Sequence, residues 1–128
     1  MPIFTVSWGT STTLHAAGTL AAGASVNDSL DLATAGIYAA AIQAEVQFPS
    51  GTDANDLEIL VYSSSDGGSN FDTEPLMRFS IPFVASTTKR KSFTIQGVPF
   101  ARVTMKNNTA LTLTSVSSKY QGLKQASA

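Results

Sequence analysis

Residues Ala40–Phe48 read Ala-Ala-Ile-Gln-Ala-Glu-Val-Gln-Phe, and this stretch decides the fold class. One set of alternate positions is apolar throughout, and the positions between them are mostly glutamine and glutamate. Alanine alone would permit a helix, but an unbroken period of two indicates a half-buried β-strand. The same period recurs on both sides of this stretch, so the chain is predicted to be all-β.

Further strands are predicted downstream. The run from Asp56 to Ser63 is almost continuously apolar, which is typical of a strand covered on both faces. Pro82 lies in the next alternating run, and because proline cannot donate to a sheet ladder, that strand must end there or lie at an edge. The alternation at Leu111 and Leu113 slips by one before Val116, which predicts a β-bulge.

The predicted organisation has one folded domain with simple ends. A first strand is expected at Ile3–Trp8, and the small, polar residues that follow are predicted to form a loop with room for one short strand. Residues 1–24 are therefore assigned to an N-terminal strand or arm and a small-residue loop, residues 25–123 to a β-sandwich, and residues 124–128 to a frayed tail.

About eight strands in one domain predict a two-sheet antiparallel sandwich of jelly-roll type. An immunoglobulin-like sandwich is the alternative. That fold usually buries a tryptophan in the middle of the chain, whereas Trp8 is the one tryptophan here and lies near the N-terminal end.

Composition excludes much enzyme chemistry. The chain of 128 residues has no cysteine and one histidine, which argues against thiol catalysis, disulfides and multi-histidine metal sites. The net charge is −1, so general nucleic-acid binding is not expected. The charges are nevertheless segregated, because all acids lie before Met77 and all bases after it. The two halves either pair their charges in one fold or present opposed surfaces.

The stretch Ser64–Phe71 matches an Asp-box turn through Ser64, Asp66, Gly68 and Phe71. In such a turn the carboxylate accepts backbone N–H groups, the glycines take positive φ, and the aromatic ring covers the turn. A structural role is therefore expected, with contact to a sugar as the alternative.

Other candidate sites are weaker. The acidic stretch Asp53–Glu58 lacks the central glycine of a calcium loop and is predicted to be a plain loop. Asp72 and Glu74 could share a face as paired carboxylates, but nothing in the sequence marks a cleft for them. His15 has no nucleophile elbow that would make it part of a triad. We therefore expect no catalytic residue, no metal site, no cofactor and no enzyme activity.

The hairpin from Leu57 to Leu76, with its Ser-Ser-Ser-Asp-Gly-Gly turn, aromatic residue and acid-Pro segment, resembles small jelly-roll proteins of tailed-bacteriophage virions. The closing stretch Phe100–Leu113 is similar to the last strands of those proteins. The resemblance spans residues 37–120 and implies a capsid cement or decoration protein. A tail, baseplate or neck component and a carbohydrate-binding module for host recognition are the alternatives.

The resemblance implies that the protein works by contact. The expected partners are the major capsid protein or other virion subunits and further copies of the chain, with a dimer favoured, and neither nucleic acid nor membrane. The expected location is the capsid surface, after synthesis in the host cytoplasm. Interface positions are predicted at Phe4 and Trp8 and in the basic run Lys89, Arg90 and Lys91. That run could instead be a solvated hairpin edge.

Overall fold

The computed structural model describes residues 4–127, with side chains for residues 6–124. Nine strands and one helical turn lie within this range, in the following order: β1 Phe4–Trp8, β2 Thr12–Leu20, β3 Ser25–Asp31, α1 Leu32–Ala35, β4 Ile37–Gln47, β5 Asp56–Ser64, β6 Met77–Pro82, β7 Thr88–Gln96, β8 Phe100–Asn107 and β9 Leu113–Ser127.

The strands form two antiparallel sheets packed as a sandwich. The five-stranded sheet has the order β1-β9-β4-β7, with β2 also pairing with β9, and the four-stranded sheet has the order β3-β8-β5-β6. From β2 to β9, every connection crosses between the sheets except the β5–β6 hairpin. This is jelly-roll topology, as predicted, and not the immunoglobulin-like alternative, in which several consecutive pairs are hairpins within one sheet.

The core lies between the sheets and follows the predicted alternation. Ile42 and Val46 of β4 are buried, as are Ile59 and Val61 of β5 and Val103 of β8. The slip before Val116 is also present: Leu113 and Val116 are both fully buried, and the pairing of β9 with β2 shifts register between them. Pro82 ends β6, which is an edge strand.

The predicted first strand is present as β1, and Ile3, where it was expected to begin, lies outside the described residues. The segment after β1 differs from the predicted loop. Thr12–Leu20 forms β2, which lies end to end with β1 along one side of β9. We call Phe4–Leu20 the N-terminal edge. Small and threonine residues can extend along a sheet because β9 supplies the ladder partner, which sequence pattern alone does not reveal. At the other end, β9 continues to Ser127 where a frayed tail was expected, because β1 pairs with Leu123–Ser127.

Candidate interaction surface

The Asp-box turn links β5 to β6 and is held together by its own side chains. Ser64 Oγ donates to Asp66 Oδ1 at 2.7 Å and accepts from the Gly68 N–H at 3.0 Å. Asn70 donates to Asp66 twice, through its side-chain amide and its backbone N–H, both at 2.9 Å. These hydrogen bonds stabilise the carboxylate and lower the pKa of Asp66 to about 2, and the bond from the Asn70 side chain has the largest effect.

The turn folds back over the outer face of the four-stranded sheet. The Phe71 ring lies 5.9 Å from the Phe100 ring, centroid to centroid. The guanidinium carbon of Arg102 lies 4.7 Å from the centroids of both Phe71 and Tyr62, so the cation contacts two aromatic rings. Gly68, with φ of 89°, lies so close to Phe100 that a Cβ atom there would be 2.7 Å from the ring. The Asp-box turn and its Phe71 ring therefore cover part of the outer face of the four-stranded sheet.

In the acidic stretch Asp53–Glu58, the carboxylates of Asp53 and Asp56 accept hydrogen bonds from other residues of the chain. Asp53 accepts from the backbone N–H groups of Ala110 and Asn55, and these bonds, Ala110 first, lower its pKa. Asp56 accepts from the Asn108 side chain at 2.9 Å. Within residues 4–127, no group of three or more His, Cys, Asp or Glu side chains is placed to hold a metal ion.

His15 and Asp28 form a pair that the sequence did not indicate. His15 Nδ1 lies 2.8 Å from Asp28 Oδ2, and both side chains are about four-fifths buried. The two residues belong to β2 and β3, so the pair joins the two sheets at one side of the sandwich. Asp72 and Glu74 are exposed on the β5–β6 connection.

The basic run Lys89–Lys91 lies on β7, at one edge of the five-stranded sheet. Arg90 donates to Glu45 of β4 at 2.8 Å, and the Lys91 ammonium lies 5.8 Å from the centroid of Phe79. Arg78 and Glu58 form a second pair of acidic and basic residues at 3.7 Å. The acidic and basic halves of the chain thus interleave and pair in part.

The opposite edge, formed by β1 and β2, has exposed apolar side chains on β1. Among the residues with described side chains, the large apolar ones that are substantially exposed are Val6, Trp8, Tyr38, Leu76 and Val84. Val6 and Trp8 are 60% and 49% exposed and lie two residues apart on β1, so they share one face of the strand. Phe4 is also in β1, but its side chain lies outside the described residues. Trp8 was predicted as an interface position from the sequence and Val6 was not, although the alternation of Val6 and Trp8 could have indicated both.

The outer face of the five-stranded sheet carries two adjoining shallow cavities of about 350 and 240 Å³. Both are lined in part by Gln43 of β4 and Lys119 of β9. The larger also includes Ser92 and Gln121, and the smaller includes Glu45. The lining of the larger cavity also includes Ala41, Ile42 and Tyr120, so groups that donate and accept hydrogen bonds lie beside apolar ones.

Comparisons with known proteins add little to this description. No family model matches the chain, and no curated protein matches it. Among solved structures, the chain is similar to the Yersinia pseudotuberculosis-derived mitogen, with a TM-score of 0.43, 14% identity, and coverage of 95% of this chain and 86% of that one. It is also similar to a family 16 carbohydrate-binding module, with a TM-score of 0.43, 10% identity, and coverage of 84% and 74%. Both likenesses concern the fold alone.

No helix among the described residues is long and apolar enough to cross a membrane.

Proposed function

We propose that the chain is a non-enzymatic structural protein of a virus particle, with capsid cement or decoration as its role. Three features support the proposal. The stretches Leu57–Leu76 and Phe100–Leu113 resemble virion proteins of tailed bacteriophages. The topology is a jelly roll, an architecture that recurs in viral capsid proteins. The third feature is the N-terminal edge.

The N-terminal edge is the single observation that carries the proposal. Its 17 residues contain no Asp, Glu, Lys or Arg. Within residues 4–127 its strands pair with β9 on one side, and no strand pairs with the other side. An uncharged, unpaired edge is a template for a further strand, and proteins normally blunt such edges. A cement protein works through contact surfaces of this kind, between its own copies or with the capsid, rather than through a reactive centre.

Binding to capsids tests the proposal. The purified chain would be cosedimented with capsids from the phage whose genome carries its gene, and bound copies per particle would be counted. We expect saturable binding for the natural chain and for Leu76→Lys, which places a charge at an equally exposed apolar site away from the edge. Trp8→Lys should reduce occupancy. Absence of the natural chain from the capsids would overturn the cement role, and labelling on tails or necks would support the tail component instead.

A carbohydrate-binding role is the second candidate, and the two cavities on the outer face favour it. Hydroxyl groups of a sugar both donate and accept hydrogen bonds, as do the amides of Gln43 and Gln121. The experiment is a glycan array followed by the double variant Gln43→Ala, Lys119→Ala. Specific binding that this variant abolishes would support the site, and an array without signal would remove it.

A further inference from the structure

The sandwich has four edges, and three of them carry charged or ladder-breaking residues. β7 carries Lys89, Arg90 and Lys91; β6 carries Arg78 and Pro82; and β3 carries Asp28 and Asp31. Charges and proline on an edge discourage pairing with another chain. The N-terminal edge is the fourth and has no Asp, Glu, Lys, Arg or proline from Phe4 to Leu20.

Within the N-terminal edge, β1 is the regular part. It pairs with β9 through five consecutive residues, from Phe4 opposite Ser127 to Trp8 opposite Leu123. β2 shifts register with β9 at three places. Bulges interrupt a ladder and twist the edge, so they protect β2 against strand addition. β1 has no such protection and offers an unbroken row of backbone donors and acceptors.

The exposed side chains of β1 point to the same use. Trp8 lies opposite Leu123 and on the same sheet face as Val6. A strand added beside β1 would contact both side chains, which are about half exposed or more in the isolated chain. Burial of aromatic side chains contributes strongly to interfaces.

Charge decides which strand can be added. β7 paired with β7 of another copy would bring three bases near three bases, and like charges opposite one another on a sheet are destabilising. The acids of β3 are already engaged, because Asp28 contacts His15 at 2.8 Å and Asp31 accepts from the Thr34 N–H at 2.9 Å. They therefore offer little attraction to the basic edge of a second copy. Pairing of β1 with itself opposes no charges.

We propose that β1 pairs antiparallel with β1 of a second copy across a two-fold axis, joining the two five-stranded sheets into one continuous sheet. The inference rests on the proposed function and names the partner that the N-terminal edge takes. A two-fold contact uses the same patch twice. With Val6, the middle residue of β1, on the axis, all five residues of each strand take part, and Val6 lies opposite its own copy.

The first test is the mass in solution. The natural chain should sediment at twice its chain mass of 13.4 kDa. Val6→Lys places two like charges across the axis and should raise the dimer dissociation constant at least about tenfold. Leu76→Lys is the matched control and should remain dimeric, because Leu76 is 55% exposed but lies outside the edge. Circular dichroism confirms that each variant is folded. A natural chain that sediments as a monomer at high micromolar concentration would overturn the proposal.

The second test identifies the contact. The natural chain has no cysteine, so Val6→Cys introduces one thiol per copy. Under a mild oxidant, two such thiols facing each other across the axis should form a covalent dimer within minutes. Leu76→Cys should crosslink at least tenfold more slowly. Equal rates for the two variants would contradict pairing at β1. Because neither test involves capsids, failure here is distinguishable from failure of the cement role.

Discussion

The outer faces of the two sheets differ in what covers them. On the four-stranded sheet, the Asp-box hairpin lies across the outer face, and Leu60, which points outward between Ile59 and Val61, is only 6% exposed. On the five-stranded sheet, Gln43 and Glu45 occupy the equivalent outward positions of β4 and remain partly exposed beside two shallow cavities. One face is used for stability, and the other is available to a partner.

This contrast indicates that the outward side chains of a central strand determine whether the outer face of its sheet is covered by the chain or stays exposed. Both β4 and β5 bury their inward residues almost completely. An outward leucine and tyrosine on β5 need cover, and the chain supplies it with the hairpin that follows directly. Outward amides and carboxylates on β4 are satisfied by water or by neighbours such as Arg90. The following predictions separate the shared core from the unequal outer faces.

The largest effects should come from the shared core. Ile42→Asp in the five-stranded sheet and Val103→Asp in the four-stranded sheet each bury an unpaired carboxylate, and both should prevent folding. Circular dichroism and thermal melts provide the measurement. Phe79→Asp is the control, because Phe79 is half-buried on an edge strand and should be tolerated better. Cooperative melting of either core variant would contradict the core assignment.

The next effect compares the two outer faces directly. Leu60→Lys should cost about 3 kcal/mol, because Leu60 is only 6% exposed and an ammonium group at this position would lose most of its hydration. Gln43→Lys should change stability by less than about 0.5 kcal/mol, as is usual on an open surface. Urea denaturation of both variants measures the contrast. An equal loss in the free energy of unfolding for the two variants would contradict the difference between the two outer faces.

A smaller effect should appear within the hairpin. Gly67→Ala places an L-residue at φ of 72° in open space and should cost about 1–2 kcal/mol. Gly68→Ala adds a contact of 2.7 Å with the Phe100 ring to a similar backbone cost, so it should be the worse of the two. The same urea assay ranks them. If Gly67→Ala proved equal or worse, Phe100 would have to be free to move aside.

The smallest effect is a dependence on pH. Asp66 has a pKa of about 2 in the folded chain, below its ordinary value of 3.8. Its stabilising contribution is therefore complete above about pH 5 and is lost as the pH falls from about 5 through 2. NMR titration of the Asp66 carboxyl carbon measures the pKa. Asn70→Ala removes the leading cause and should raise this pKa towards 3.8, and an unchanged value would show that other bonds suffice.

The sequence pattern predicted the strands that have one face or both faces buried. The alternation from Ala40 to Phe48 and the apolar run from Asp56 identified β4 and β5, and the slip before Val116 identified the register shift in β9. Short-range spacing was likewise sufficient to predict the Asp-box turn, because its hydrogen bonds join residues at most four positions apart.

Long-range pairing was not predictable in the same way. Nothing in Thr12–Leu20 indicates a strand until β9 is placed beside it. His15 and Asp28 lie on different sheets, and Arg102 is far along the chain from the two rings that it contacts. Asn107, at the end of β8, is fully buried. Its side chain donates to the carbonyls of Leu20, Ala21 and Leu111, so it links two turns that are distant in sequence.

The position of β9 also affects how the chain is made. During translation the N-terminal edge is made well before β9, with which it pairs. Contacts of such large sequence separation form slowly. The β1 part of this edge, Phe4–Trp8, has high β-propensity and stays without its sheet partner until β9 has been made, so it is open to aggregation during that interval. Production of the protein should therefore depend more strongly on translation rate and temperature than its final stability suggests.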